Sequence, residues 1–358
     1  MSEDNQAPTT KPIVPAPNAS ADSGGREMPT QTRPVGVPNE WGKLKEVLVG
    51  DSSRCAFPRW SPDWGRYHGF EEMLRGLEGV SLQRAMPERA KGVAEQTEGL
   101  VRVLEDRGVT VHRPRPLTDA EIAAPPAGLF NQYARDPQIV IGKHIIETNL
   151  RMMFRCKEHL GYEQLFRTRL TEDLEARHVR MPDTTAILPG ETEEEFLNDP
   201  RPFLEGGDTF VLGKDILVGF SSLGSSPAGV TWLQRYLEPE GYRVHLVPLT
   251  TEWLHLDCMF AVVREGLCIC FVPGLKEGQL PRVIKDWEII EADAEEAHAL
   301  GCNTICLEPG VVIIGAEHKR LISEIEKHGV SIVPIPFDKP SELGGGIRCS
   351  THPLHREA

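Results

Sequence analysis

The 358-residue sequence lacks the features of several protein classes. No stretch approaches the roughly 18 consecutive apolar residues of a membrane-spanning helix, and no basic start followed by an apolar segment marks a secretory signal. Positive charge is scarce, since 39 Lys and Arg face 53 Asp and Glu, for a net charge of -14. Nucleic-acid-binding proteins normally present a basic face. We therefore expect a cytoplasmic protein with neither a membrane nor a nucleic-acid partner.

A dense cysteine framework is also missing. The eight cysteines are scattered through a long chain, which favours free thiols over disulfides. Two close pairs, Cys268 with Cys270 and Cys302 with Cys306, do not have the C-x2-C spacing usual in zinc sites and lie in apolar sequence, so we interpret them as core thiols. The glycine run at 344–346 lacks the GxxxxGK[ST] pattern of a phosphate-binding loop. No nucleotide site is therefore indicated.

The chain changes in composition near residue 36. Residues 1–36 are rich in Pro, Ala, Ser, Thr and Asn and contain almost no large apolar side chains. Such a segment cannot bury enough apolar surface to fold, so we predict a disordered tail. The apolar run at 47–49, closed by Gly50, predicts the first buried strand. We predict a single α/β domain over residues 37–358.

A weak internal repeat indicates the architecture. Stretches typical of a helix that ends in glycine and continues into a β-branched strand recur at 103–114, 236–248, 298–310 and 324–336. Pairs of short apolar strands around a glycine-containing turn recur at 138–146, 209–220, 259–271 and 304–315. Each such unit needs a neighbour to cover its apolar face, which predicts units arranged around an axis. An ordinary doubly wound α/β domain is the alternative.

Polar clusters precede the first three of these hairpins. The clusters are ARD, EGGD and HLD, and the residues in them that can carry chemistry are Asp136, Glu205, Asp208, His255 and Asp257. If the units surround an axis, equivalent positions converge on one cleft. Cys349, which lies between three glycines and a polar tail and is followed by no further predicted hairpin, would complete the ring. We expect the histidines of that tail, His352 and His355, to lie in a solvated terminus.

One cysteine, one histidine and several carboxylates have a chemical interpretation. A cysteine thiolate is a strong nucleophile, an imidazole can move protons, and a carboxylate bonded to the imidazole fixes its tautomer. Two further carboxylates suit a guanidinium, which presents five donors in a rigid fork. We therefore expect a guanidine substrate that the thiolate converts into an amidino-cysteine. An amine or a water molecule would then receive the amidino group.

Four ordered motifs resemble those of the arginine deiminase and amidinotransferase superfamily. They are RDP at 135–137, EGGD at 205–208, HLD at 255–257 and GGGIRC at 344–349. The resemblance covers about residues 38–358 and implies a five-bladed α/β propeller, the pentein fold, made of pseudo-fivefold ββαβ repeats.

The resemblance also implies roles for individual residues. Cys349 matches the nucleophile, His255 the general acid and base, and Glu205 the acid that orients the histidine. Substrate binding falls to Asp136, Asp257, Asp208 and Arg348. Within this set Asp136 and Asp257 match the pair that grips the guanidinium, and we expect Asp208 to support the site structurally.

Several segments resemble the amidinotransferases of this superfamily, of the glycine and inosamine-phosphate types. NEWGKLKEVLVGD at 39–51 resembles their opening signature, and IIE at 145–147 resembles the strand that follows RDP in them. HLDCMF and GGGIRCSTHPLHRE read more like deiminases. The arginine that glycine amidinotransferase carries after its HxD strand is replaced here by the segment at 272–274, with Lys276 as a candidate substitute.

We therefore predict an amidinotransferase that moves the amidino group from L-arginine to an amine acceptor and releases ornithine. The first alternative is a guanidine hydrolase of arginine deiminase type, which gives citrulline and ammonia. The second is a non-catalytic ligand-binding member of the fold. We expect no cofactor and no metal. The oligomeric state is left open, with a homodimer as one option.

Overall fold

The computed structural model describes residues 34–58, 75–182 and 201–358. The predicted tail, residues 1–36, lies outside the described residues except for its last three positions. At these positions Val35 is 1% exposed, and its backbone N–H donates to Asp173 Oδ2 at 2.9 Å. Val35 is therefore packed against the rest of the protein, two residues before the predicted start of the domain at residue 37. Among the residues described, no helix combines the length and the apolar character that crossing a membrane requires.

Strands within the described residues form five three-stranded sheets, which are the blades of a propeller. The first blade contains β1 (Leu44–Val49), α1 (Leu82–Ala85), α2 (Pro87–Asp106) and β2 (Thr110–His112), and α3 (Asp119–Ala123) follows it. The second contains β3 (Gln138–Ile141), β4 (His144–Glu147), α4 (Glu163–Glu172) and β5 (Arg177–Arg180). The third contains β6 (Thr209–Leu212), β7 (Asp215–Phe220), α5 (Pro227–Leu237) and β8 (Arg243–Pro248).

The last two blades follow the same plan. The fourth contains β9 (Phe260–Arg264), β10 (Leu267–Cys270) and β11 (Glu288–Glu291), and α6 (Ala294–His298) follows it. The fifth contains β12 (Ile305–Glu308), β13 (Val311–Gly315), α7 (Lys319–Lys327) and β14 (Ser331–Ile335). The chain ends with α8 (Asp338–Ser341) and β15 (Thr351–Arg356). In each blade the middle strand pairs antiparallel with one neighbour and parallel with the other.

The four predicted hairpins are confirmed as β3–β4, β6–β7, β9–β10 and β12–β13. Their strands are short and rich in Val and Ile, and β3, β4 and β6 are buried along their whole length. Strands covered on both faces read as continuous apolar runs, whereas half-exposed strands alternate. Five separate sheets replace the single sheet of a doubly wound domain, so the five-bladed α/β propeller is confirmed.

The C-terminal strand β15 closes the ring. It pairs antiparallel with β1, so that Thr351 lies opposite Val49 and His352 opposite Leu48. The prediction of a solvated terminus was wrong for this segment, because His352 is 2% exposed and His355 is only partly exposed. The strand was missed because its antiparallel partner, β1, lies at the other end of the chain, and a local sequence pattern cannot reveal such a pairing.

The predicted state of the cysteines is also confirmed. All eight thiols are free. Cys268, Cys270, Cys302 and Cys306 are at most 2% exposed and lie in the apolar core.

Candidate active site

The turns that lead into the blades bring the predicted site residues into one buried cluster. Each blade has a polar residue shortly before the strand that pairs antiparallel with its middle strand, and these residues are Asp136, Asp208, Asp257, Asn303 and Cys349. Glu205 and His255 lie in two of the same turns. All six predicted chemical residues are no more than 6% exposed. The fivefold repeat therefore gathers side chains that are far apart in sequence.

On one side of the cluster, His255 lies between two carboxylates. Its Nε2 is 2.6 Å from Glu205 Oε2, and its Nδ1 is 3.8 Å from Asp136 Oδ1. Burial alone would lower the pKa of His255, but the negative charge of Asp136 and the hydrogen bond to Glu205 raise it to about 10. The imidazole is therefore an imidazolium at neutral pH and can act as a proton donor.

The EGGD turn places Glu205 against this imidazole. The Glu205 backbone N–H donates to Ser225 Oγ at 3.0 Å, and its Oε1 accepts from the Arg151 backbone N–H at 2.7 Å. Gly207 passes so close to the imidazole that a Cβ at this position would lie 2.5 Å from His255 Nδ1. Any side chain at 207 would therefore displace the histidine.

Asp208 connects two loops of the site. Its Oδ1 accepts from the Leu256 backbone N–H at 3.0 Å, and its Oδ2 accepts from the Ser225 backbone N–H at 3.1 Å. These bonds hold the HLD turn, which carries His255, against the segment that holds Glu205. Burial raises the pKa of Asp208 to about 7. Its contacts are those of a supporting residue, as the sequence suggested.

On the other side of the cluster, Cys349 faces Asp257 and Asn303. Cys349 Sγ is 3.6 Å from Asp257 Oδ2 and accepts a hydrogen bond from Asn303 Nδ2 at 3.1 Å. The Cys349 backbone N–H donates to Asn303 Oδ1 at 3.0 Å. Burial raises the pKa of the Cys349 thiol well above its usual value, and the negative charge of Asp257 raises it further. Without a cationic ligand the sulfur is therefore a neutral thiol.

The two carboxylates predicted to grip a guanidinium differ in what they already bind. Asp136 Oδ1 accepts from the Gly207 backbone N–H at 2.9 Å, and its Oδ2 accepts from Arg155 Nη1 at 2.8 Å. Asp257 Oδ2 accepts from Arg348, whereas its buried Oδ1 has no hydrogen-bond partner among the described residues. A buried acceptor without a partner costs free energy, so Asp257 is prepared for an incoming donor.

Arg348 is almost fully enclosed by protein acceptors. It donates to Asp257 Oδ2 at 3.2 Å, to the Thr209 carbonyl at 2.7 Å and to Glu40 Oε1 at 3.3 Å. Its guanidinium carbon lies 3.7 Å from the centroid of the Phe210 ring. These contacts favour a positioning role over the predicted contact with substrate. They also give a reason for the NEW signature, whose Glu40 anchors this arginine.

Sequence reasoning missed two residues of the site. Asn303 precedes the hairpin at 304–315 as the acids precede the earlier hairpins, so its position was a usable signal. It was missed because an amide side chain, unlike an acid, a histidine or a cysteine, does not by itself indicate chemistry. Arg155 lies on the turn Met153–Arg155, where it pairs with Asp136 and also donates to Glu158 Oε1 at 3.0 Å. No repeat position marks that arginine.

Three side chains that could ligate a metal lie together in the described part of the chain, namely Asp136, Glu205 and His255. The carboxylates of Asp136 and Glu205 face different ring nitrogens of His255, and 2.6 Å is a hydrogen-bond distance. A metal ligand must be a neutral imidazole, whereas these carboxylates stabilise the imidazolium. These three residues are therefore better suited to keeping a proton on His255 than to binding a metal ion.

Known proteins resemble this chain along most of its length. A family model described as arginine deiminase matches residues 282–356, which include Asn303, Arg348 and Cys349. A Streptomyces griseus protein provisionally named inosamine-phosphate amidinotransferase 2 is 29% identical, over 90% of this chain and 97% of that protein. The L-arginine:L-lysine amidinotransferase of Pseudomonas savastanoi pv. phaseolicola is 23% identical, over 91% of this chain and 95% of that enzyme.

The family model and the amidinotransferase relatives support placement in the arginine deiminase and amidinotransferase superfamily. A solved structure of the superfamily, inosamine-phosphate amidinotransferase from Streptomyces griseus, matches with a TM-score of 0.77 at 24% identity. The match covers 90% of this chain and 97% of that one. At this level of identity the likeness shows a shared fold, which agrees with the five blades described above.

Proposed function

We propose that this protein is an amidinotransferase that moves the amidino group of L-arginine to an amine acceptor through an amidino-cysteine at Cys349. One observation carries the proposal. The Cys349 sulfur lies 3.6 Å from the buried carboxylate of Asp257. The same cluster contains a histidine, His255, whose Nε2 lies 2.6 Å from the carboxylate of Glu205. Relatives named as amidinotransferases align with about 90% of the chain, which supports transfer of an amidino group. The name of the Pseudomonas relative, L-arginine:L-lysine amidinotransferase, supports L-arginine as the donor.

Substrate binding would activate the nucleophile. A guanidinium placed between Asp257 and Asp136 brings a positive charge beside a thiol whose pKa those carboxylates keep high. A positive neighbour favours the thiolate, so the pKa of Cys349 falls and its proton is released when the cation binds. The site would therefore be unreactive until a guanidine fills it.

The first half-reaction uses His255 as an acid. The Cys349 thiolate attacks the guanidinium carbon and forms a carbon–sulfur bond, which gives a tetrahedral adduct. The bond from that carbon to the side-chain nitrogen of arginine then breaks, and the His255 imidazolium donates its proton to the departing nitrogen. Ornithine leaves, and the amidino group stays on the sulfur.

The second half-reaction uses His255 as a base. The acceptor amine attacks the amidino carbon, neutral His255 takes the proton that the amine must lose, and the carbon–sulfur bond breaks. The product is a new guanidine, and Cys349 is again a thiolate. Glu205 would keep the imidazole in one orientation through both half-reactions.

Hydrolysis is the second candidate function. The match of the arginine deiminase model to residues 282–356, the segment that contains Cys349, is the observation that favours it. In that case ammonia, not ornithine, leaves the tetrahedral adduct, so the arginine skeleton stays bound to the sulfur, and water then breaks the carbon–sulfur bond and releases citrulline. Lys276, the candidate substitute for the acceptor-binding arginine, is exposed on the turn Lys276–Gly278, which leaves the acceptor unassigned.

Mass spectrometry of the products separates these functions. The protein is incubated with L-arginine, once alone and once with a mixture of glycine, lysine and other primary amines. We expect ornithine together with a guanidinylated amine, which also names the acceptor. Citrulline and ammonia that form regardless of added amine would make the protein a hydrolase. The Cys349→Ser variant is the matched control for background chemistry.

A further inference from the structure

A second buried cluster lies next to the candidate active site, and it is basic. Its members, Arg135, Arg348, Arg356 and His352, are each at most 4% exposed. We call them the central basic cluster. Large cationic side chains are seldom buried to this degree unless partners neutralise them. The partners of this cluster therefore decide what it can do.

The cluster is held by segments from every blade. Arg135 Nε donates to the Arg348 carbonyl at 3.1 Å. Arg348 reaches Thr209 at the start of β6 and Asp257 before β9. Arg356 Nη1 donates to the Gly42 carbonyl before β1 at 2.7 Å and to the Cys306 carbonyl of β12 at 2.8 Å. Side chains that contact all five blades lie where the blades meet, at the centre of the propeller.

The cluster carries more positive than negative charge. Two carboxylates act on its three guanidiniums, those of Glu40 and Asp257. Glu40 Oε1 accepts from Arg348 Nη2 and from the Val211 backbone N–H at 3.2 Å. Burial and the positive charge of Arg348 lower the pKa of Arg135 to about 9, so Arg135 is still protonated at neutral pH. Among the residues that the structure describes, one buried positive charge is therefore left without a counter-charge.

The same cluster contains three donors without acceptors. Arg135 Nη2, Arg348 Nε and Arg356 Nε have no hydrogen-bond partner among the described residues. A buried donor left without an acceptor is costly, and so is an unpaired buried charge. A water molecule could accept these hydrogen bonds, but it would not neutralise the charge. A small anion would do both.

We propose that the central basic cluster binds a small monovalent anion of the halide type, with chloride as its ligand in solution. The near-complete burial of all four side chains favours a small spherical ion over a carboxylate or a phosphate. Arginine donors are suited to such an ion because they present several N–H groups and keep their charge. This site does not depend on the proposed amidino transfer.

Bromide, which replaces chloride and scatters anomalously, tests the site directly. Crystals grown in sodium bromide should show an anomalous peak in contact with Arg135, Arg348 and Arg356. A map with bromide peaks on the protein surface and none at the cluster would overturn the proposal, since water would then be the occupant.

Thermal unfolding tests the same site in solution. An ion that binds only the folded state stabilises it, so Tm in sodium chloride should exceed Tm in sodium gluconate of equal ionic strength by roughly 2 °C or more. Arg356→Met removes the excess charge and should abolish this difference. Arg102→Met, a change at an exposed arginine of α2, is the matched control and should retain it. Equal Tm values in the two salts for the unchanged protein would contradict the site.

A second variant keeps the test decisive if Arg356→Met does not fold. Glu40→Gln raises the excess charge from one to two, so the dissociation constant for chloride should fall about tenfold or more, and the Tm difference between chloride and gluconate at equal ionic strength should increase. An unchanged or smaller Tm difference would show that charge does not hold an ion in this cluster.

Discussion

Both sides of the candidate site are buried and negatively charged, but the negative charge stabilises the charged form of the histidine and destabilises the charged form of the cysteine. On the histidine side, Asp136 and Glu205 stabilise the His255 imidazolium and raise its pKa to about 10. On the nucleophile side, burial and the negative charge of Asp257 destabilise the Cys349 thiolate and raise the pKa of the thiol. One field of carboxylates therefore keeps a proton on both groups. The positive charge of a cationic substrate would favour the Cys349 thiolate and so free the nucleophile.

Removing the nucleophile should have the largest effect. Cys349→Ala has no thiol to carry the amidino group, so turnover should be undetectable, and Cys349→Ser should be nearly inactive because a hydroxyl ionises far less readily. Product formation from L-arginine measures both variants. Cys156→Ala, which removes a half-buried thiol outside the site, should remain active. Substantial turnover by Cys349→Ala would refute the assignment.

Neutralising the carboxylate on the nucleophile side should affect catalysis and thiol reactivity in opposite directions. Asp257→Asn should lower kcat/KM for arginine by about a hundredfold or more, because a charged partner of the guanidinium is lost. The same change removes the negative charge that raises the pKa of Cys349. Alkylation of the unliganded thiol by iodoacetamide at pH 8 should therefore become faster than in the unchanged protein. Slower alkylation would show that Asp257 does not set the pKa of Cys349.

Changing the carboxylate on the histidine side should shift the pH profile instead. The pKa of His255 is raised in the folded protein, so its acid form is present below that pKa and is lost as the pH rises through it. Glu205→Gln removes one stabilising charge and should lower this pKa, which moves the alkaline limb of the kcat profile to lower pH. We expect kcat near neutral pH to fall about tenfold to a hundredfold. An alkaline limb that stays at the original pH would show that Glu205 does not raise the pKa of His255.

The smallest of these effects should come from the amide that supports the thiol. Asn303→Ala removes the contacts of Asn303 with the Cys349 sulfur and backbone N–H, and we expect kcat to fall about tenfold. Asn303→Asp keeps an acceptor for the backbone but adds a negative charge, so it should slow thiol alkylation more than Asn303→Ala, which loses only the hydrogen bond to the sulfur. Asn131→Ala is the control, since Asn131 is equally buried outside the site. Equal losses of activity in Asn303→Ala and Asn131→Ala would assign Asn303 a merely structural role.

The sequence predicted those parts of the fold that depend on local patterns. The hairpins at 138–146 and 209–220 were recognised because both strands of each hairpin and the glycine-containing turn between them lie within a few residues of each other. Strand β15 was not, because its partner β1 lies at the opposite end of the chain. Five residues, one in each blade, precede the strand that pairs antiparallel with the middle strand, and four of them were recognised by residue type. Asn303 was missed because an amide rarely indicates chemistry by itself.

The protonation states of the site could not be predicted from the sequence. They depend on distances such as the 2.6 Å between His255 and Glu205 and the 3.6 Å between Cys349 and Asp257. The same holds for Arg348, whose motif suggested contact with substrate and whose side chain is instead held by Glu40 and Thr209. Such outcomes depend on packing between blades, which no single motif encodes.

Intact-protein mass spectrometry after mixing with L-arginine and no acceptor, followed by acid quenching, tests the central claim most directly. The account predicts a protein heavier by one amidino group, located by peptide mapping on Cys349 and lost when an amine acceptor is added before the quench. Ornithine and a guanidinylated amine formed at full rate, with Cys349 unmodified at every time point, would contradict a covalent intermediate at this cysteine.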